Sequence, residues 1–219
     1  MSTRPRRTSK KPIRISYEEF RGAVKGSDSC ACSGGEAASD LAELAARNIT
    51  GAEPAAALDK LLDQGEGTPV HGIWHHVLVG QMLLMCLRNA GYQISEGLVD
   101  EVVDRGKQIP GGSCGFLGTC GALVSAASAY AILLSSTPVA TEARERLLEF
   151  SSKLAARLAE VGGSRCCKKS SYVAFEVAQP EFARLGFELP KENFESRCRF
   201  FGANDTCDGA DCVYFPKKS

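Results

Sequence analysis

The chain has 219 residues, 44% of them hydrophobic, which is enough for one domain to bury a core without disulfide staples. Its 26 basic and 26 acidic side chains cancel, so no global charge draws it to nucleic acid or an acidic membrane. Ten cysteines without a visible export signal predict the cytoplasm, where close-spaced thiols read as metal ligands or reactive groups sooner than as disulfides.

Taken in chain order, the opening "MSTRPRRTSKKPIR" is basic and acid-free, and predicts a flexible tail over residues 1–15. A helical domain is expected over residues 16–190. Its first candidates are "SYEEFRGAVKG", "SDLAELAARNI" and "EPAAALDKLLDQG", the last with Pro54 in its first turn and Gly65 at its end. "HGIWHHVLVGQMLLMCLRNAG" is apolar nearly all round and ends at Gly91, the pattern of a helix at the centre of a bundle. Cys86, in the middle of that helix, reads as packing. "SEGLVDEVVDRGKQI" is amphipathic behind Ser95 as N-cap. No charge occurs from Gln108 to Thr141, yet only about 14 residues there are convincingly apolar helix, short of the ~18 a membrane span needs.

Further on, "TEARERLLEFSSKLAARLAEVGG" predicts a helix capped by Thr141 and ended by Gly162-Gly163. "SSYVAFEVAQPEFARLG" predicts another, bent or broken at Pro180. No stretch alternates with period two, so the fold class is all-α: a multi-helix bundle around a buried central helix. Residues 191–219 are turn-rich, carry three cysteines and cannot form a core of their own; they are expected to pack on the helices.

Four groups of residues could carry chemistry. In "GGSCGFLGTCG", Gly111 and Gly112 open a loop in which backbone N–H groups converge, and Cys120 starts a helix. Both effects favour thiolates at Cys114 and Cys120, and the same geometry suits an anion such as phosphate. In "GGSRCCKKS", Arg165 and Lys168 flank Cys166 and Cys167, and positive neighbours lower a thiol pKa. Cys198, Cys207 and Cys212 lie in loops that let thiolates converge on an ion. A fourth ligand would come from the Cys166-Cys167 pair. His71 and His75 stand four apart and share a helix face if the helix begins by Val70, a spacing suited to metal ligation. Cys30 and Cys32 form a Cys-x-Cys pair whose role stays open.

The ordered motifs "TPVHGIWHHVLVG", "IPGGSCGFLGTCGA" and "GGSRCCKKSSY", followed by the late cysteines, resemble a cysteine-rich domain family of unknown function. The resemblance covers about Thr68 to Cys212. It implies a family of bacteria and archaea, many of them anaerobes, whose members stand alone or joined to methyltransferase-like or radical-SAM-like segments. It implies weight on His71, His75, His76, Pro110 to Gly115, Cys120, Arg165 to Lys168, and Cys198, Cys207 and Cys212. The chain departs from the pattern at its front, where some members carry fuller Cys-x-x-Cys pairs.

These observations predict a metal-binding protein, with an iron–sulfur cluster or zinc, that performs thiol-based redox or sulfur-handling chemistry for a protein partner. The alternatives are a zinc-stabilised helical interaction module, or an enzyme with a thiolate or metal site between the histidine helix and the glycine loop. Cys114, Cys120 and Cys166 are the candidate catalytic residues. Cys167, Cys198, Cys207, Cys212, His71 and His75 are the candidate ligands, with Arg165, Lys168, Gly111 and Gly112 in support. No membrane association is expected, and nucleic acid would be bound only through the basic tail.

Overall fold

A computed structural model describes residues 35–64 and 71–217. The basic tail, "SYEEFRGAVKG", Cys30, Cys32 and Gly65 lie outside the described residues. Among the described residues, eight α-helices follow one another: α1 (Gly35–Asn48), α2 (Pro54–Gln64), α3 (Trp74–Asn89), α4 (Glu96–Lys107), α5 (Ser113–Phe116), α6 (Gly121–Leu133), α7 (Thr141–Val161) and α8 (Cys167–Ala183). Two 3-10 turns, Phe201–Ala203 and Gly209–Asp211, punctuate the C-terminal segment. Among the described residues there is no β-strand, and no helix is long and apolar enough to cross a membrane.

Helices α3 and α6 form the centre of this bundle. Helix α3 packs against α1, α2, α4, α6 and α8, and α6 also meets α4, α7 and α8. Every residue of α3 from Trp74 to Leu87 is buried, Cys86 included. Such a helix has no polar stripe because it has no solvent face. It ends where left-handed Gly91 lets the Tyr92 N–H reach the Leu87 carbonyl and the Gly91 N–H reach that of Arg88, satisfying two orphan acceptors.

Close helix approach depends on three glycines. A Cβ on Gly106 would strike the His76 carbonyl, one on Gly80 the Ser125 carbonyl, and one on Gly121 the His76 ring. His76 thus lies flat on the first residue of α6, and its Nδ1 pairs with the Ile109 carbonyl at 3.1 Å.

Helix α8 runs through Pro180 without a break, so of the expected bend or break the break does not occur. The proline removes one backbone bond three residues before the helix end, and buried Phe175, Ala178 and Phe182 hold that turn by packing. The helix also starts earlier than its apolar pattern, at Cys167.

Polar pairs and one aromatic anchor hold the C-terminal segment against the helices. Arg197 reaches Asp59 (2.8 Å) and Glu192 (3.2 Å). Glu192 in turn accepts from the Ala55 and Ala56 N–H groups at the start of α2, both at 2.9 Å. Tyr214 is buried against Tyr172, and its hydroxyl donates to Glu176 at 2.7 Å. Asn204 bonds His71 at 3.1 Å, and Asp208 pairs with Lys169 at 2.8 Å.

Candidate functional site

Two neighbouring cavities flank the start of α8 and share Cys166 and Lys169 in their walls. The larger, of about 330 Å³, lies between the glycine loop, α3 and α8. Its walls include His75, Cys114, Cys120, Arg165, Cys166 and Cys167. The smaller, of about 20 Å³, lies under the C-terminal segment and is walled by Cys166, Lys168, Cys198, Cys207 and Cys212 together with aromatic rings. His71, Gly111 and Gly112 line neither. Gly112 instead adopts φ +78° to start α5, with the Phe116 ring lying where a Cβ would be.

The larger cavity is built from two helix starts. Cys120 is the N-cap of α6, with its thiol buried and its backbone carbonyl accepting from the Leu123 N–H at 3.0 Å. Cys166 is the N-cap of α8, with its sulfur 3.5 Å from the Lys169 N–H. Both N-termini therefore face one space, and each helix adds partial positive charge there. Among the described residues no Asp or Glu lines that space. Arg165 lies at its exposed side, while Lys169 directs its ammonium to Asp208 and the Gly162 carbonyl.

His75 is 4% exposed. Its Nδ1 is held by the Gly72 carbonyl, which fixes that nitrogen as the donor and leaves Nε2 as an acceptor. Burial first, then the neighbouring His76 ring, lowers its pKa to about 3, so the imidazole is neutral.

Helix α3 begins at Trp74, so His71 and His75 do not share a helix face as their spacing predicts. His71 precedes the helix and turns to Asn204 in the C-terminal segment.

The thiols correct a second expectation. Cationic neighbours and helix termini predict depressed thiol pKa values, yet burial dominates. It raises Cys167 to about 12, Cys198 to about 11, and Cys120 and Cys212 in the same direction. These four are protonated at neutral pH. All eight cysteines of the described residues are free.

The metal expectation is overturned. Among the described residues no group of three or more His, Cys, Asp or Glu side chains is disposed to hold a metal ion. The iron–sulfur cluster, the zinc alternative and the redox function built on them fall with it. Cys166 and Cys207 instead turn their sulfurs to the backbone N–H groups of Lys169 and Gly209, and burial holds Cys198 and Cys212 protonated.

Sequence reasoning missed Ser164, Ser170, Tyr172, Phe200 and Asp208. Asp208 lies in a Cys-Asp-Gly turn that reads as a loop signal only, yet it binds the Ser164 N–H at 2.9 Å and the Lys169 ammonium.

Comparison with the curated proteins and with the solved structures finds no match. The chain does match an uncharacterised family whose members are cysteine-containing and all-helical, described as a family of unknown function (DUF5714), over residues 43–215. That span is most of the chain and includes both cavities, and the protein belongs to this family.

Proposed function

We propose that the domain binds a small anion bearing a hydroxyl group, a phosphate or carboxylate ester or acid, in the larger cavity. The observation that carries this reading is the meeting of two helix N-termini in one space that no acidic side chain lines. The first turns of α6 and α8 carry the positive ends of their helix dipoles, which favour negative charge. Arg165 adds a full charge at the open side. The buried acceptor on His75, with its tautomer fixed by Gly72, suits a ligand hydroxyl and not a second oxyanion. About 330 Å³ holds a compact metabolite and no more. In this reading the protonated thiols of Cys120 and Cys167 are walls.

The experiment is calorimetric titration of the full chain with glycerol 3-phosphate and with inorganic phosphate. Binding of glycerol 3-phosphate is expected to be the tighter. Arg165→Gln is expected to weaken both by about tenfold, in line with one charged hydrogen bond of ~1.5 kcal/mol. No heat with either ligand, or equal affinity in the Arg165→Gln chain, would sink the reading.

A further inference from the structure

Lys168 is 3% exposed, and no carboxylate pairs with it among the described residues. Its ammonium lies 5.0 Å from the Phe200 ring centre and 5.8 Å from that of Trp74. The titratable groups acting on it are the thiols of Cys166, Cys167 and Cys198. A lysine buried without a counter-ion is rare, because the charge is costly to desolvate. Its neighbour Lys169, equally buried, does have one in Asp208. The contrast marks Lys168 as the exception in its own helix.

Desolvation acts in opposite senses on the two kinds of nucleophile in this cavity. It holds acids protonated, so the thiols of Cys198 and Cys212 become poorer nucleophiles. It penalises charge on a base, so the Lys168 amine gives up its proton more readily and becomes a better one. A lysine prepared in this way could hold an anion or attack a carbonyl. The two rings beside its nitrogen decide between them. The negative faces of Phe200 and Trp74 repel an anion, but they hold a cation, and a protonated imine is a cation.

We propose that Lys168 is a nucleophilic amine that condenses with a very small aldehyde to form an imine in the cavity under the C-terminal segment. The Nζ lone pair adds to the carbonyl carbon and a proton passes to the carbonyl oxygen. The resulting carbinolamine expels that oxygen as water, leaving a C=N bond. An amine and an aldehyde thus give an imine and one water, with no oxidant or reductant. The cavity, about 20 Å³, has room for one or two waters, so the aldehyde is limited to about that size, formaldehyde being the smallest. Nothing in this proposal depends on the anion-binding reading of the neighbouring cavity.

The test uses the intact full chain with one equivalent of formaldehyde, quenched after a short interval with borohydride and mapped by peptide mass spectrometry. Lys168 is expected to carry the trapped methyl group at least tenfold faster than Lys217, whose side chain is 76% exposed. Benzaldehyde, too large for the cavity, is expected to favour Lys217, and Phe200→Ala is expected to open Lys168 to it. Equal or slower labelling of Lys168 than of Lys217 would overturn the proposal. So would labelling of Lys168 that appears only in urea. Because the comparison is internal to the native chain, it stands even if Lys168→Arg, the variant expected to lose the label, fails to fold.

Discussion

The helical bundle and the C-terminal segment are held by different physics. In the bundle, α3 buries an unbroken run from Trp74 to Leu87, and apolar area removed from water supplies most of the attraction. Among the described residues of the C-terminal segment, Phe194 and Tyr214 are the buried apolar anchors, with Phe200 partly buried against the core. Much of the remaining attachment is polar: Arg197 between Asp59 and Glu192, Asn204 on His71, and Asp208 on Lys169. Apolar packing tolerates replacement by similar volumes, whereas each polar clamp fails when one partner is removed. The two regions should therefore respond to different insults.

Removing a clamp should have the largest effect. Arg197→Ala leaves Asp59 and Glu192, with side chains 9% and 4% exposed, facing each other without a cation. Breaking a buried pair in this way costs about 3–5 kcal/mol. Chemical denaturation should register that loss. Limited proteolysis of the native chain should cut first after Lys191, because the segment detaches before the bundle melts. A fully cooperative loss with no early cleavage would show that the two regions are one unit.

The matching change in the bundle is Gly106→Ala. On an exposed helix this substitution would stabilise by about 1 kcal/mol. Here the new methyl would strike the His76 carbonyl and the Val77 backbone at the crossing of α3 and α4. Overpacking against backbone costs about 1–3 kcal/mol, so a net loss near 2 kcal/mol is expected from urea midpoints. No early cleavage after Lys191 should accompany it.

This contrast also explains what could be read in the sequence. The central helix was legible because a run that is apolar on every face admits few other placements, and Gly91 marked its end. The start of that helix was not, because it is set by His75 turning back to Gly72 and by the His76 N–H bonding Ile73, contacts that no periodicity announces. Without that start, the four-residue spacing of His71 and His75 suggested a shared face that does not exist. Three clamps of the C-terminal segment, Arg197 to Asp59, Glu192 to Ala55 and Asn204 to His71, join residues more than 130 positions apart, and no local pattern encodes such pairs. The cysteines are the visible candidates for anchoring the segment. In the sequence Lys168 reads as a cation flanking reactive thiols. Its burial follows from α8 starting three residues earlier than the apolar pattern of that helix suggested.

Acid should weaken the bundle through His75. Its pKa falls from 6.5 in the unfolded chain to about 3 in the folded one, with burial the main cause. A base depressed in this way contributes stability that is fully present above pH 6.5 and is lost as pH falls toward 3. At pH 5 the loss is about 2 kcal/mol, from roughly 1.5 pH units at 1.36 kcal/mol each. Asp59 and Glu192 act in the opposite sense. Desolvation raises both, so their cost to folding is relieved as pH falls through their folded values. Denaturation between pH 7 and 5 should therefore show the bundle weakening first. In a His75→Gln chain the pH dependence over that window should shrink, and an unchanged slope would remove His75 as its source.

The smallest effect expected is the most discriminating, because it tests whether the more deeply buried aromatic anchor of the C-terminal segment acts by its ring or by its hydroxyl. Tyr214 is 2% exposed, packs edge-on against Tyr172 with centres 5.4 Å apart, and donates to Glu176 at 2.7 Å. Tyr214→Phe keeps the ring and removes one hydrogen bond to a charged acceptor that Arg157 also pairs at 3.0 Å. Glu176 keeps that cation and is 31% exposed, so it is left neither buried nor alone. The expected loss is about 1 kcal/mol, well below the Arg197→Ala value. If Tyr214→Phe instead matched Arg197→Ala and also released the cut after Lys191, the hydroxyl would be a clamp of equal rank. The segment would then be held almost wholly by polar contacts, with its buried rings as fillers. If it cost nothing, the ring alone would be the anchor, and the difference between the two regions would narrow to the Arg197 cluster and the Asp208–Lys169 pair.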